Sequence, residues 1–256
     1  MQTADKTLLT QPADRAVRAA GALYLLFVVT SVFFFLASSF GSLGASPQSL
    51  IVAWDPTATA HRILASETLF RLAIASGLIA TIIFVFLARE LYRLLSGVNE
   101  TWALLMVVLV LLSVPISFIG LLDQIAALTL IHGGPALSGL GSSQMNALAM
   151  FLLGLSSDTS SLNAIFFGLW LFPFGLLVIR SGFIPRILGY LLIIAGSSYV
   201  LGSLNFVLSP PFAGVISTVV GVGYLGELGV IVWLLVTAVR VQFGHTLNLK
   251  PLEETV

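Results

Sequence analysis

The stretch TWALLMVVLVLLSVPISFIGLLDQIAALTLI, residues 101–131, decides the fold. It contains one formally charged side chain, Asp123, close to its far end. A helix rises about 1.5 Å per residue and needs about 20 predominantly apolar residues to cross the hydrocarbon of a bilayer. This run is long enough to do so. Transmembrane strands show weak alternation in short segments, whereas this run is continuous, so it reads as a helix. The rest of the chain agrees. It has 256 residues, 58% hydrophobic and 9% charged, against about 45–50% and about 25% for a soluble domain. The excess apolar surface has to face something other than water.

Working outward from 101–131, five more runs of the same kind appear. The expected architecture is all-α, a polytopic transmembrane bundle of six spans, at about 15–40, 62–88, 101–131, 161–179, 184–207 and 213–241. A polar tail, 1–14, precedes them and another, 242–256, follows. The first span imitates a signal peptide, but its apolar core is longer than the usual h-region, so it reads as an uncleaved anchor. Gly, Ser and Pro mark a loop over 133–143. Residues 144–155 are apolar but too short to cross. The sequence leaves three readings for them: an interfacial helix, a re-entrant piece, or the first half of a long tilted helix. Pro210 and Pro211 separate the last two spans.

Basic residues give the orientation, because Lys and Arg collect on the cytoplasmic side. One side of the six-span arrangement holds Lys6, Arg15, Arg18, Arg89, Arg93, Arg180, Arg186, Arg240 and Lys250. The other holds Arg62, with Arg71 inside a span. Both termini are therefore expected in the cytoplasm of a cell whose inner membrane houses the protein. The Asn99-Glu100-Thr101 sequon then lies inside, where glycosylation is not expected.

Composition also excludes functions. Eleven basic residues balance eleven acidic ones with no basic stripe, so nothing supplies the phosphate contacts of nucleic-acid binding. There are no cysteines, which removes disulfides, thiolate zinc sites and iron–sulfur clusters. No Gly-x-Ser-x-Gly elbow occurs. Gly221-Val222-Gly223-Tyr224-Leu225-Gly226 matches the dinucleotide fingerprint letter for letter, but it sits inside a span, with no strand before it and no acid about 20 residues on. Small residues there let helices pack closely. The expected partner is the lipid bilayer, with room for a small ligand or another membrane protein, and no motif asks for a cofactor.

The residues Leu91-Tyr92-Arg93-Leu94-Leu95, Val98-Asn99 and Trp102-Ala103-Leu104-Leu105-Met106 resemble a family of bacterial multi-pass membrane proteins described as a domain of unknown function. So do Phe166-Phe167-Gly168-Leu169-Trp170, the run from Arg180-Ser181-Gly182 through Pro185-Arg186 to Gly189, Gly226-Glu227 and Trp233-Leu234-Leu235. The resemblance covers roughly 15–240. It implies a helical bundle in a bacterial cytoplasmic membrane, and it carries over no catalytic residue and no substrate.

Charges inside a membrane cost roughly 2.5–3.5 kcal/mol each at a helix centre on insertion scales, so each needs a reason. Glu67 and Arg71 lie four apart on one helix face, acid first, the better order for a helical ion pair. The plain reading is mutual neutralisation that lets the helix insert. Counted from an outer end near Arg62, they lie about 8 Å and about 14 Å deep. Glu227 lies about 20 Å into the sixth span, with Arg71 as its candidate partner. Asp123, Gln124, Asn163 and Asn205 fall toward outer span ends. The expected site is a polar cavity open to the outside, floored by Glu67, Arg71 and Glu227. The plain alternative makes Asp123, Asp158 and Asn205 solvated helix ends. His61 and His132 are weak metal candidates, lacking any H-E-x-x-H or H-x-x-x-H spacing. Glu67-x-x-x-Arg71 is similar to one element of intramembrane prenyl-protein proteases, but Ser66 stands where a second acid belongs and no Phe-x-x-x-His occurs. Tyr24, Tyr92, Trp102 and Trp233 read as inner interface anchors, and Trp54 as an outer one.

Three functions fit: a non-enzymatic transport, sensing or accessory protein using the outer cavity; an intramembrane hydrolase with Glu67 or Glu227 as acid–base; or a structural, partner-binding bundle. The balance is against an enzyme.

Overall fold

The computed structural model describes residues 5–38, 50–52, 54–208 and 227–242. Among them the chain forms helices and turns alone. The helices are α1 (Asp5–Ser38), α2 (Pro56–Ala65), α3 (Glu67–Leu95), α4 (Glu100–His132), α5 (Ser142–Leu169), α6 (Leu171–Ser181), α7 (Arg186–Leu208) and α8 (Leu228–Gln242), with one 3-10 turn at Pro135–Leu137. Five stretches are long and apolar enough to cross a membrane: Ala16–Ala37, Glu67–Leu95, Glu100–His132, Ser142–Ser181 and Arg186–Leu208. Of the expected sixth span, 213–241, the first half, 213–226, lies outside the described residues, which take in Glu227 and α8. Helix begins at Asp5, within the stretch expected as a tail.

Local chemistry sets the boundaries. Asp55 caps α2 by accepting the Ala58 N–H at 2.8 Å, and Pro56 follows at the first helical position, where its missing N–H costs nothing. α2 ends at Ser66, whose N–H is shared between the Arg62 and Ile63 carbonyls. The expected second span began near 62; the spanning helix α3 begins at Glu67, past this break. Glu67 is thus a first-turn residue and Arg71 lies about 6 Å in, shallower than counting from Arg62 placed them. Asn99 caps α4 through the Trp102 N–H at 3.0 Å.

Residues 144–155 lie within α5, so the long-helix reading applies to them. α5 and α6 form one apolar stretch of 40 residues, about 60 Å long. The interruption at Trp170 is slight, since that residue keeps right-handed helical angles (φ −67°, ψ −24°). Pro173 explains it: proline has no N–H for the Leu169 carbonyl four residues back. α6 stops at Gly182, in the left-handed conformation at φ 73°, and the Ser181 hydroxyl accepts the Ile184 N–H at 3.2 Å.

Burial along α4 identifies the solvent. Ala103, Met106, Val110, Ser113, Gly120, Gln124 and Ala127 are buried, while Leu104, Leu105, Leu111, Leu112, Phe118, Ile119, Leu122 and Ile125 are exposed. Many large apolar side chains face outward, and the polar Ser113 and Gln124 lie inward with Gly120, beside Met106, Leu121 and Leu128. Water would favour the reverse, and a bilayer favours this order, because helices in lipid associate through close packing and hydrogen bonds. The buried positions recur largely at steps of three and four, the seam of a left-handed helix pair.

The chain divides into two compact units. One comprises 27–82 and 114–163. Its core is built on Leu50, Ile63, Phe70, Ile74, Leu121, Leu128 and Leu153. The Ser76 hydroxyl there donates to the Thr30 carbonyl at 2.8 Å, tying α3 to α1. The other comprises 1–26, 83–113 and 164–256. Trp170 stacks on Phe174 with centroids 5.4 Å apart and meets Phe84 edge-on at 5.2 Å. A Cβ on Gly168 would sit 2.6 Å from the Gly196 carbonyl oxygen, and one on Gly175 would sit 2.7 Å from that of Gly189. Backbone therefore meets backbone along α7.

Candidate functional site

The seven residues expected to line one cavity fall in both units. Glu67, Arg71, Asp123, Gln124 and Asn163 belong to the 27–82 and 114–163 unit, and Asn205 and Glu227 to the other. Each group has its own chemistry.

In the first unit, Arg71 Nε donates to Glu67 Oε1 at 2.6 Å. The second oxygen, Glu67 Oε2, lies 3.1 Å from His132 Nε2 at the end of α4. His132 Nδ1 lies 2.9 Å from the Leu128 carbonyl. A carbonyl only accepts, so the Nδ1 contact needs its proton on Nδ1. One carboxylate thus joins Arg71 of α3 and His132 of α4. The Arg71 side chain is 60% exposed and that of Glu67 31%. A pair so open to its surroundings holds a helix together weakly, and its outer donors stay accessible.

The α4–α5 seam is different. Gln124 is buried, and its Nε2 donates to Ser156 Oγ at 3.2 Å. Ser156 in turn donates its proton to the Gly120 carbonyl at 2.8 Å. One heptad away, Asn163 Nδ2 donates to Ser117 Oγ at 2.9 Å. Gly120 lies at this contact, where a Cβ would meet Ser156 and Thr159 at 3.5 and 3.6 Å, ordinary van der Waals distance. Gln124 Oε1 and Asp123 Oδ2 are shut off from the surface, and no protein donor reaches either. Asp158 is exposed on α5, as expected of a helix end.

In the second unit, Glu227 Oε2 accepts a hydrogen bond from Tyr24 Oη at 3.3 Å, and the Tyr199 hydroxyl of α7 also bonds the carboxylate. Tyr24 is fully buried, which corrects its reading as an interface anchor: its ring packs inside and its hydroxyl reaches the acid. Asn205 is half-buried near the end of α7. A further buried acid lies on α3. Glu90 is held between Arg89 at 2.5 Å and Arg93 at 3.2 Å. In the sequence it is concealed among Arg89 and Arg93, which count toward the expected orientation.

His61 is exposed on α2. Among the described residues no group of three or more His, Asp or Glu converges to hold a metal ion. Sequence reading also missed Ser117 and Ser156, though Ser117, Gly120 and Gln124 on one helix and Ser156 and Asn163 on the other carry the seam spacing.

A family model described as a domain of unknown function, DUF4386, matches residues 19–238. No curated protein and no solved structure matches the chain.

Proposed function

The chain belongs to the DUF4386 family, a domain of unknown function, and on that premise we propose that it is a non-enzymatic inner-membrane protein of the transport, sensing or accessory class. It spans the membrane six times with both termini in the cytoplasm and takes a small ligand from the outer side. Glu67, Arg71 and His132 receive the ligand at the mouth, Gln124 and Asn163 lie beyond them on the α4–α5 seam, and Asp123 adjoins Gln124 on α4. One observation carries this reading. Five of the seven candidate residues lie in one compact unit, and the most buried of them, Gln124, ends in an oxygen that no protein donor reaches. Polar groups in lipid are expensive, and those kept without a packing reason mark a site.

The structural alternative draws on the Ser156–Gly120 and Asn163–Ser117 bonds, which bind helices together whatever else they do. The hydrolase alternative places acid–base work on Glu67 or Glu227. A thermal-shift screen of small charged compounds on the purified protein in lipid nanodiscs separates these readings. A binder whose shift disappears in both Glu67→Gln and Arg71→Ala supports the outer site. Binders indifferent to both changes, or none at all, hand the case to the structural reading. A compound consumed during the assay favours the hydrolase.

A further inference from the structure

The acids of the apolar helices differ in the kind of partner they have. Glu67 is paired with Arg71 at 2.6 Å and meets His132 at 3.1 Å. Glu90 is paired with Arg89 at 2.5 Å and with Arg93 at 3.2 Å. Arginine does not give up its proton, so it holds its carboxylate in the charged form. Glu227 is of another kind. Its Oε2 accepts from Tyr24 Oη at 3.3 Å, and the Tyr199 hydroxyl bonds the same carboxyl group. The three residues belong to one compact unit, on α1, on α7 and directly before α8.

Among the described residues no Arg, Lys or His is paired with Glu227. The titratable groups that face it are Tyr24 from α1 and Tyr199 from α7. The nearest basic positions on these helices and on α8 are Arg18, six positions from Tyr24, Arg186, thirteen from Tyr199, and Arg240, thirteen from Glu227. Along a helix those separations are about 9 Å and about 20 Å. The surroundings are apolar. Tyr24 is fully buried, and so are Val230 and Ile231. A Cβ on Gly229 would meet Leu188 and Leu191 of α7 at 2.9 and 3.6 Å.

No formal charge balances an ionised Glu227 there, and a low-dielectric setting disfavours the charged form of an acid. Hydroxyl partners leave both forms open, because a phenol donates and accepts. The ionised carboxyl accepts from both phenols. The neutral carboxyl donates its own proton to one phenolic oxygen and accepts from the other. Either form keeps two hydrogen bonds, whereas an arginine partner would fix one form.

We propose that Glu227, held by Tyr24 and Tyr199, is a reversible proton-binding site within the membrane. On binding, an O–H bond forms at the carboxyl and one breaks at hydronium or a buffer acid, with no electron transferred. On release the proton returns to water. This goes beyond the outer ligand site, which belongs to the other unit and stands or falls separately. An intramembrane acid that gains and loses a proton supplies the coupling step of a proton-linked transport or sensing cycle.

The test is an infrared titration of the full-length protein in lipid bilayers, from about pH 5 to about pH 9, where solvated carboxyls are largely ionised throughout. An un-ionised carboxyl has its own carbonyl stretch. The expected result is a carboxyl band that disappears as the pH rises and returns as it falls. Glu227→Gln should abolish that band, and Asp123→Asn should leave it. Tyr24→Phe should move it to higher frequency, because the carbonyl loses a donor. If Glu227→Gln does not fold, the frequency shifts in Tyr24→Phe and Tyr199→Phe assign the band instead. A wild type without the band overturns the site, since Glu227 is then always charged. A Glu227 band that persists to the alkaline end also overturns it, since the acid is then a fixed donor. So does a band that survives Glu227→Gln, which belongs to another acid.

Discussion

Tyr24 shows how one residue changes meaning when its neighbours are known. A tyrosine near the end of a span ordinarily sits at the membrane interface, ring in the lipid and hydroxyl in water. Here the ring is buried and the hydroxyl serves Glu227. Losing an intramolecular hydrogen bond costs about 0.5–1.5 kcal/mol. Tyr24→Phe should therefore lower the unfolding midpoint by about 1–6 °C. A double-mutant cycle with Glu227→Gln should be non-additive, with a coupling of at least about 0.5 kcal/mol. Additive effects would mean that the two side chains do not act together. The Glu67–Arg71 pair is the contrast. Its i,i+4 spacing is plain in the sequence, but its exposure keeps its structural worth small. The pair most visible in the sequence is the exposed one, and the pair separated by 203 positions is the one whose tyrosine is buried.

At the scale of elements, glycines divide by what stands opposite them. Gly168 and Gly175 are seven apart, as are Gly189 and Gly196, and each pair meets the other's backbone carbonyls. Adding a methyl at Gly175 forces the helices apart, and overpacking of this kind costs about 1–3 kcal/mol. Gly154, inside α5, has nothing within 4 Å of a built Cβ. Gly154→Ala should stabilise by about 0.5–1 kcal/mol through helix propensity alone. Opposite signs in the two unfolding midpoints check the packing; equal effects would contradict it. The seven-residue spacing of these glycines is legible in the sequence. Which helix lies opposite is not, because spacing describes one helix face and says nothing of its neighbour.

For the whole molecule, the lack of cysteine is an experimental advantage, since wild type is already a cysteine-free background. Gly97, between α3 and α4, and Gly139, between α4 and α5, both face open space. With termini inside, Gly97→Cys should react with a membrane-impermeant maleimide only after the cells are opened, and Gly139→Cys should react in intact cells. Labelling of both from the same side would overturn the proposed orientation.

The sequence by itself determined the solvent and the element type. Long runs of Leu, Val, Ile and Phe with few charges can be satisfied only in lipid, and in lipid only a helix satisfies its own backbone within one segment. Those are local constraints, readable one stretch at a time. It also marked the charges within apolar runs that need a reason. Tertiary structure decided the partners. Gln124 with Ser156, Asn163 with Ser117, His132 with Glu67 and Tyr24 with Glu227 are pairings between residues far apart in the chain. The break at Ser66, which sets the depth of Glu67 and Arg71, was likewise decided there. In lipid every helix face is apolar enough to be exposed, so hydrophobicity no longer tells inside from outside. Close approach and hydrogen bonding choose the neighbours, and both depend on what the opposite helix presents.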